Sequence, residues 1–181
     1  MKIIALDQST TATGVAIFED KRLVTYLLIK PKKSKKVTNL VHDVDLDNHI
    51  HLLIMPEDMY GITLNRTTAI VDVLEKIFEA EKPDKVWFED IFENKNPEGF
   101  KSLARLQGFI AHLCHTKNIP YIIKEESAWT SVWGSYSNKT KRDERKADIM
   151  KKVNDYYNLD ITVDDISDSI GIGKYAVEKG E

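Results

Sequence analysis

Apolar residues fall along this chain in short blocks of two kinds. Residues 2–7 (KIIALD) are a continuous apolar run cut off by an acid, while 13–19 (TGVAIFE) and 22–29 (RLVTYLLI) are rich in β-branched and aromatic residues and are separated only by Asp20 and Lys21. The pattern predicts three strands, the last two a hairpin. Stretch 31–61 has no steady period and reads as a long loop or insertion, with HIHLLIMP suited to one extra short strand. From Thr63 to Glu81 the apolar positions Ile70, Val71, Leu74, Ile77 and Phe78 follow helical spacing, and Lys82-Pro83-Asp84 ends the helix. A strand at 85–88 running into Glu89 comes next. Asn96 and Pro97 then form a cap and first-turn pair for a helix to about Lys117. Residues 120–124 predict another strand, and 143–157 and 163–178 two closing helices. The order predicts an α/β fold, a mixed five-stranded sheet flanked by helices. No repeat and no Gly/Ser-rich linker divides the chain, so 1–181 reads as one domain.

Composition narrows the setting. The chain has 181 residues, 42% hydrophobic and 30% charged, enough for an ordinary core. No apolar run approaches the length of a membrane span and no leader pattern is visible, so no membrane partner is expected. The single cysteine, Cys114, forms neither an internal disulfide nor a thiolate cage, and a cytoplasmic protein is expected.

The net charge of −3 conceals a segregation. Residues 30–36 (KPKKSKK) hold five lysines and no acid, and residues 139–152 carry seven basic residues against three acids. Residues 43–58 and 155–168 each hold five acids and no Lys or Arg. Basic and acidic concentrations side by side point to a polyanion on one surface and cations at another, although lysine runs are equally often solvated faces.

Two apolar strands end in a carboxylate, Asp7 and Glu89. Central parallel strands lie about 4.8 Å apart, so acids at matching C-terminal ends come within reach of one cation, at the edge where α/β sheets place ligands. Asp165 and Asp168, three apart on a helix, share a face. Four carboxylates make a hard oxygen site suited to Mg²⁺ or Mn²⁺. Each acid alone has a plainer reading as a turn or helix-start residue, and Asp90, Glu125, Glu126 and Asp164 are neighbouring decoys. The joint pattern favours the site.

Three motifs in order carry a resemblance. Asp7 stands in a strand-Asp-x-(Gly/Ser)-(Ser/Thr)-x-x-(Thr/Ser)-Gly hairpin. Glu89 stands in P-D-x-x-x-x-E-x-x-F, followed by an N-x-x-x-x-x-x-L-x-x-x-(Q/R)-G helix. Asp165 and Asp168 stand in D-x-x-D-(Ala/Ser)-(Leu/Ile)-(Ala/Gly). Together they resemble the RuvC family of Holliday junction resolvases, most closely its phage-encoded members. The resemblance implies a ribonuclease H-like fold, a homodimer formed through the helix 97–117, and cleavage of four-way DNA junctions by two-metal phosphodiester hydrolysis with two Mg²⁺ or Mn²⁺ ions. Asp7, Glu89, Asp165 and Asp168 are then the catalytic, metal-binding acids, with Asp7 central. Phe92 matches an aromatic near the junction centre. Lys139, Lys141, Arg142, Arg145 and Lys146, with Lys32 and Lys33, are expected to hold phosphates.

The chain departs from the bacterial pattern at 31–61, at Trp129 and Trp133 where a basic residue is usual, and at Gly171 and Gly173 in place of helix alanines. Trp129 or Tyr136 could stack on unpaired bases, while Trp133 reads as packing. His49 and His51, two apart, would share one side of a strand, though a solvated loop fits them better. His112, Cys114 and His115 need no function at a helix end, and Ser127 and Thr130 have no visible base partner. Other readings remain open: a broader fork or flap nuclease, a non-catalytic binder of branched DNA, or half of a sugar-kinase-like ATPase suggested by Asp7-Gln-Ser-Thr-Thr.

Overall fold

Asp20 and Lys21 both adopt positive φ, 47° and 69°. A two-residue turn of this kind matches the twist of the strands it joins. It sets β2 (Thr13–Glu19) antiparallel to β3 (Arg22–Lys33), and β2 pairs in turn with β1 (Lys2–Asp7). The computed structural model describes residues 1–92, 96–134 and 141–179. Beyond β3 come β4 (Val41–Asp45), β5 (Ile50–Met55), α1 (Glu57–Gly61), α2 (Thr63–Glu81), β6 (Lys85–Glu89) and α3 (Pro97–Thr116). Then follow β7 (Tyr121–Lys124), α4 (Glu126–Thr130) with a 3₁₀ turn at 131–133, α5 (Arg142–Tyr157) and α6 (Asp164–Lys179).

The expected mixed α/β sheet is present, with seven strands rather than five, in the order β4-β5-β3-β2-β1-β6-β7. The difference lies in 31–61. The HIHLLIMP strand is β5, and β4 is an additional strand whose five residues are all exposed. With no buried face, β4 carries no apolar alternation. Its ladder to β5, Val41↔Ile54 to Asp45↔Ile50, supports it instead. Likewise β3 extends past the predicted Ile29 to Lys33 because β5 pairs beside it from Leu28↔Ile50 to Lys33↔Met55. Pro31 fits this outer part of β3, which has no β2 partner beyond Ile29.

Two cores sandwich the sheet. On one side Ile4, Leu6, Val15, Ile17, Ile29, Val86 and Phe88 meet α2 and α3 through Ile70, Leu74, Phe78, Leu106 and Ile110. On the other, Ile3, Ala5, Ala16, Phe18, Leu28 and Trp87 meet Trp129, Ile149, Val153, Ile166, Ile170 and Ile172. Asn96 caps α3 as expected, its side chain accepting from the Gly99 N–H, with Pro97 in the first turn. Among the described residues no helix is long and apolar enough to cross a membrane.

The start of α6 lies directly on β2. A Cβ added at Gly14 would sit 1.8 Å from the backbone oxygen of Asp165. Gly14 is the register partner of Asp7, so the glycine closing the first motif lets α6 come down beside the acid of β1. Gly14→Ala therefore forces backbone apart. An unfolding free energy lower by about 1–3 kcal/mol is expected in urea titration, and an unchanged midpoint would contradict this close approach.

Candidate active site

Leu6 pairs with Phe88 in parallel β1 and β6, so Asp7 and Glu89 are the next residues at the C-terminal ends of adjacent strands. Helix α6 brings Asp165 and Asp168 to the same place. All four acids line one cleft of about 330 Å³. Among the described residues no three His, Cys, Asp or Glu side chains are gathered into a finished ligand group. The four acids instead share the lining of the cleft.

Burial dominates the protonation preferences of these acids, and neighbouring negative charge adds to it. Burial raises the Asp7 carboxyl well above its ordinary range, and the charges of Asp168, Glu89 and Asp165 add to it. Burial pushes Glu89 up to about 7, reinforced by Glu126 and Asp168. Asp168 is likewise raised to about 7 by burial, against the opposing pull of Lys146. Asp165 is raised by burial and by Asp164. Asp164 behaves in the opposite way: its hydrogen bond from Lys146 lowers it, so it is a lysine partner. Perturbed carboxyls of this kind, gathered in a cleft, mark functional sites.

Neighbouring groups hold the acids in place. The backbone carbonyl of Glu89 accepts from the side-chain amides of Gln8 and, at 3.1 Å, Gln107. This gives a physical reason for the Gln of the second motif. Asp168 is 6% exposed, and its Oδ1 has no hydrogen-bond partner among the described residues. A buried anionic oxygen is costly to leave unpaired, and a hard cation would satisfy it. The donor set, carboxylates only, fits Mg²⁺ or Mn²⁺.

The predicted phosphate contacts divide. Phe92 is 51% exposed and lines the cleft with Arg142. Lys141 is exposed at the start of α5. Lys146 lies inside the cleft, ion-paired with Asp164 and 3.7 Å from Asp168, and Arg145 pairs with Glu126 at 3.5 Å. Lys32 and Lys33 are exposed at the end of β3, on the sheet edge that carries Asp7. Lys139 and Tyr136 lie outside the described residues.

Three sequence expectations change. Trp129 is 1% exposed and cannot stack on bases; it packs in the core, as Trp133 does. Glu126 and Asp90, set aside as decoys, also line the cleft, and no periodicity announced the position of Glu126 on the short helix α4. His49 precedes β5 and lies against Tyr26, whereas His51 contacts His42 at 2.9 Å, so the two do not share a site.

No protein-family model matches the chain, and no curated protein does. Solved structures do. Thermus thermophilus RuvC in complex with a Holliday junction substrate aligns at TM-score 0.66 and 12% identity, over 99% of this chain and 97% of that one. Fowlpox virus resolvase with Holliday junction DNA aligns at TM-score 0.55 and 15% identity, over 99% and 98%. The yeast mitochondrial Holliday junction resolvase aligns at TM-score 0.51 and 15% identity, over 97% and 77%. The fold is thus that of RuvC and other Holliday junction resolvases, as the three motifs implied.

The raised carboxyls carry a pH signature. An acid whose pKa is higher folded than unfolded stabilises the fold below the unfolded value, and that contribution is lost as pH rises through the folded value. With Glu89 and Asp168 near 7, the metal-free protein loses stability between about pH 4 and pH 7. Thermal melts should fall by a few degrees over that window, and Glu89→Gln should flatten the fall; a melt that rises across the window would contradict the site's electrostatics.

Proposed function

We propose that this protein is a divalent-metal-dependent endonuclease that cleaves four-way DNA junctions. One observation carries the reading: acids from two adjacent strands and one helix line a single cleft at the ligand-binding edge of the sheet. The shared fold with Holliday junction resolvases supports it.

Asp7, Glu89, Asp165 and Asp168 would hold the cations. When bound, two divalent cations supply activation of the attacking water and stabilisation of the leaving 3′ oxygen. The protein's own part is positional. Asp7, on the strand between β6 and β2, stands between Glu89 and the α6 acids. Lys146 neutralises part of the acid charge that would otherwise repel a phosphodiester. Arg142 and Lys141 at the start of α5, and Lys32 and Lys33 on β3, hold phosphates on either side without reading bases. Exposed Phe92 at the cleft offers a face for a base unstacked where the arms meet. A homodimer, which places two clefts on one junction, belongs to the same proposal, with α3 and its exposed Phe109 as the contact.

The test is a gel assay on labelled four-way junction, fork, flap and linear duplex with Mg²⁺, Mn²⁺ or chelator. Paired symmetric nicks confined to the junction and dependent on metal are expected. Equal cutting of forks and flaps would broaden the activity to branched DNA in general, and binding without cutting would overturn the enzymatic reading. Asp7→Asn should reduce cleavage by roughly 100-fold or more with junction affinity retained. Replacing Lys141 and Arg142 together with alanine should lower the salt slope of binding by about 1 to 2. An unchanged slope would remove the start of α5 from the DNA path.

A further inference from the structure

Trp129 is the largest buried side chain that α4 contributes, and it is also polar at one point. Its ring lies in the core between the sheet and α6, 1% exposed, while its indole N–H donates to Glu89 Oε2 at 3.1 Å. Space for that ring exists because position 171 lacks a side chain. A Cβ there would lie 2.8 Å from Trp129 Cζ3 and 3.2 Å from Trp133 Nε1. The two departures noted in the sequence, a tryptophan where a basic residue is usual and a glycine where an alanine is usual, are therefore one packing solution.

We propose that Trp129 is a positioning residue that fixes the orientation of the Glu89 carboxylate for cation binding, an inference that rests on the nuclease reading above. An indole N–H can only donate, so Glu89 Oε2 is the acceptor, and the bond engages one carboxyl oxygen while leaving the other to the cleft. The main chain of Glu89 is already tied by Gln8 and Gln107 to its carbonyl. The hydrogen bond from Trp129 removes the remaining freedom, that of the side-chain torsions. A ligand ordered beforehand loses less entropy when a cation arrives, and groups that orient metal ligands typically carry 10-fold to 100-fold of the affinity.

Trp129→Phe keeps a ring in the space over Gly171 and deletes the N–H. Should phenylalanine not hold the fold, 3-benzothienylalanine at 129 keeps the ring shape with sulfur in place of N–H. Mn²⁺ binding to the DNA-free protein is read from the loss of the free-ion electron paramagnetic resonance signal, in the parent, Trp129→Phe, Glu89→Gln and the double variant. The expected result is roughly 10-fold weaker Mn²⁺ binding for Trp129→Phe, with no further loss when it is added to Glu89→Gln, because the tryptophan acts through that carboxylate. Unchanged binding in Trp129→Phe, or an equal loss in the Glu89→Gln background, would overturn the inference while leaving the nuclease reading in place. A parent protein that does not bind Mn²⁺ would overturn the metal site itself.

Discussion

Like charges brought together at low dielectric govern this molecule. Two strands, β1 and β6, end in acids side by side, and α6 adds two more across the cleft. Nothing in the core asks for this: apolar residues fill both faces of the sheet, and the acids raise one another's proton affinity. Such an arrangement costs stability, and the fold offsets it with packing. Gly14 lets the start of α6 lie against β2, and the long apolar face of α6 fastens that helix to the sheet. Lys146 supplies the internal positive charge that makes the cluster tolerable, pairing with Asp164 and lying near Asp168.

Charge is arranged along the outer strands with the same polarity. β3, β5, β1, β6 and β7 are parallel, so their C-terminal ends share one edge. β3 continues from Leu28, level with Asp7, to Lys33, roughly 16 Å at 3.3 Å per residue. Its lysines thus project past the cleft, and Lys30 is close enough to bear electrostatically on Asp165. Asp45 at the end of β4 pairs with Ile50, which is level through Leu28 and Gly14 with Asp7 and not with the lysines. A near-neutral chain can in this way present a basic edge to a polyanion beyond the acids of its cleft.

Much of this was legible in the residues. Helical spacing, apolar strand runs and the Asn96-Pro97 cap each have a local cause, so β1, β6, α2 and α3 could be read directly, whereas the four acids stood out only as a joint pattern. β4 could not, because all its residues are exposed and only its neighbour makes it a strand. Glu126 and the inward Trp129 were hidden for a related reason. Helix α4 is five residues long, too short for a period, and its side chains are meaningful only against Glu89 and Gly171, which are far away in sequence. Lys146 belonged by sequence to a basic stretch, and only the fold shows that it points at the acids of α6.

The central claim is that the four carboxylates are a divalent-cation site. Its most direct measurement is Mn²⁺ anomalous diffraction from crystals of the protein bound to a four-way junction. Two manganese peaks are predicted between Asp7, Glu89, Asp165 and Asp168, beside a phosphodiester of the junction. Manganese bound elsewhere, with Asp168 still beside Lys146 and Glu89 still held only by Trp129, would contradict the account.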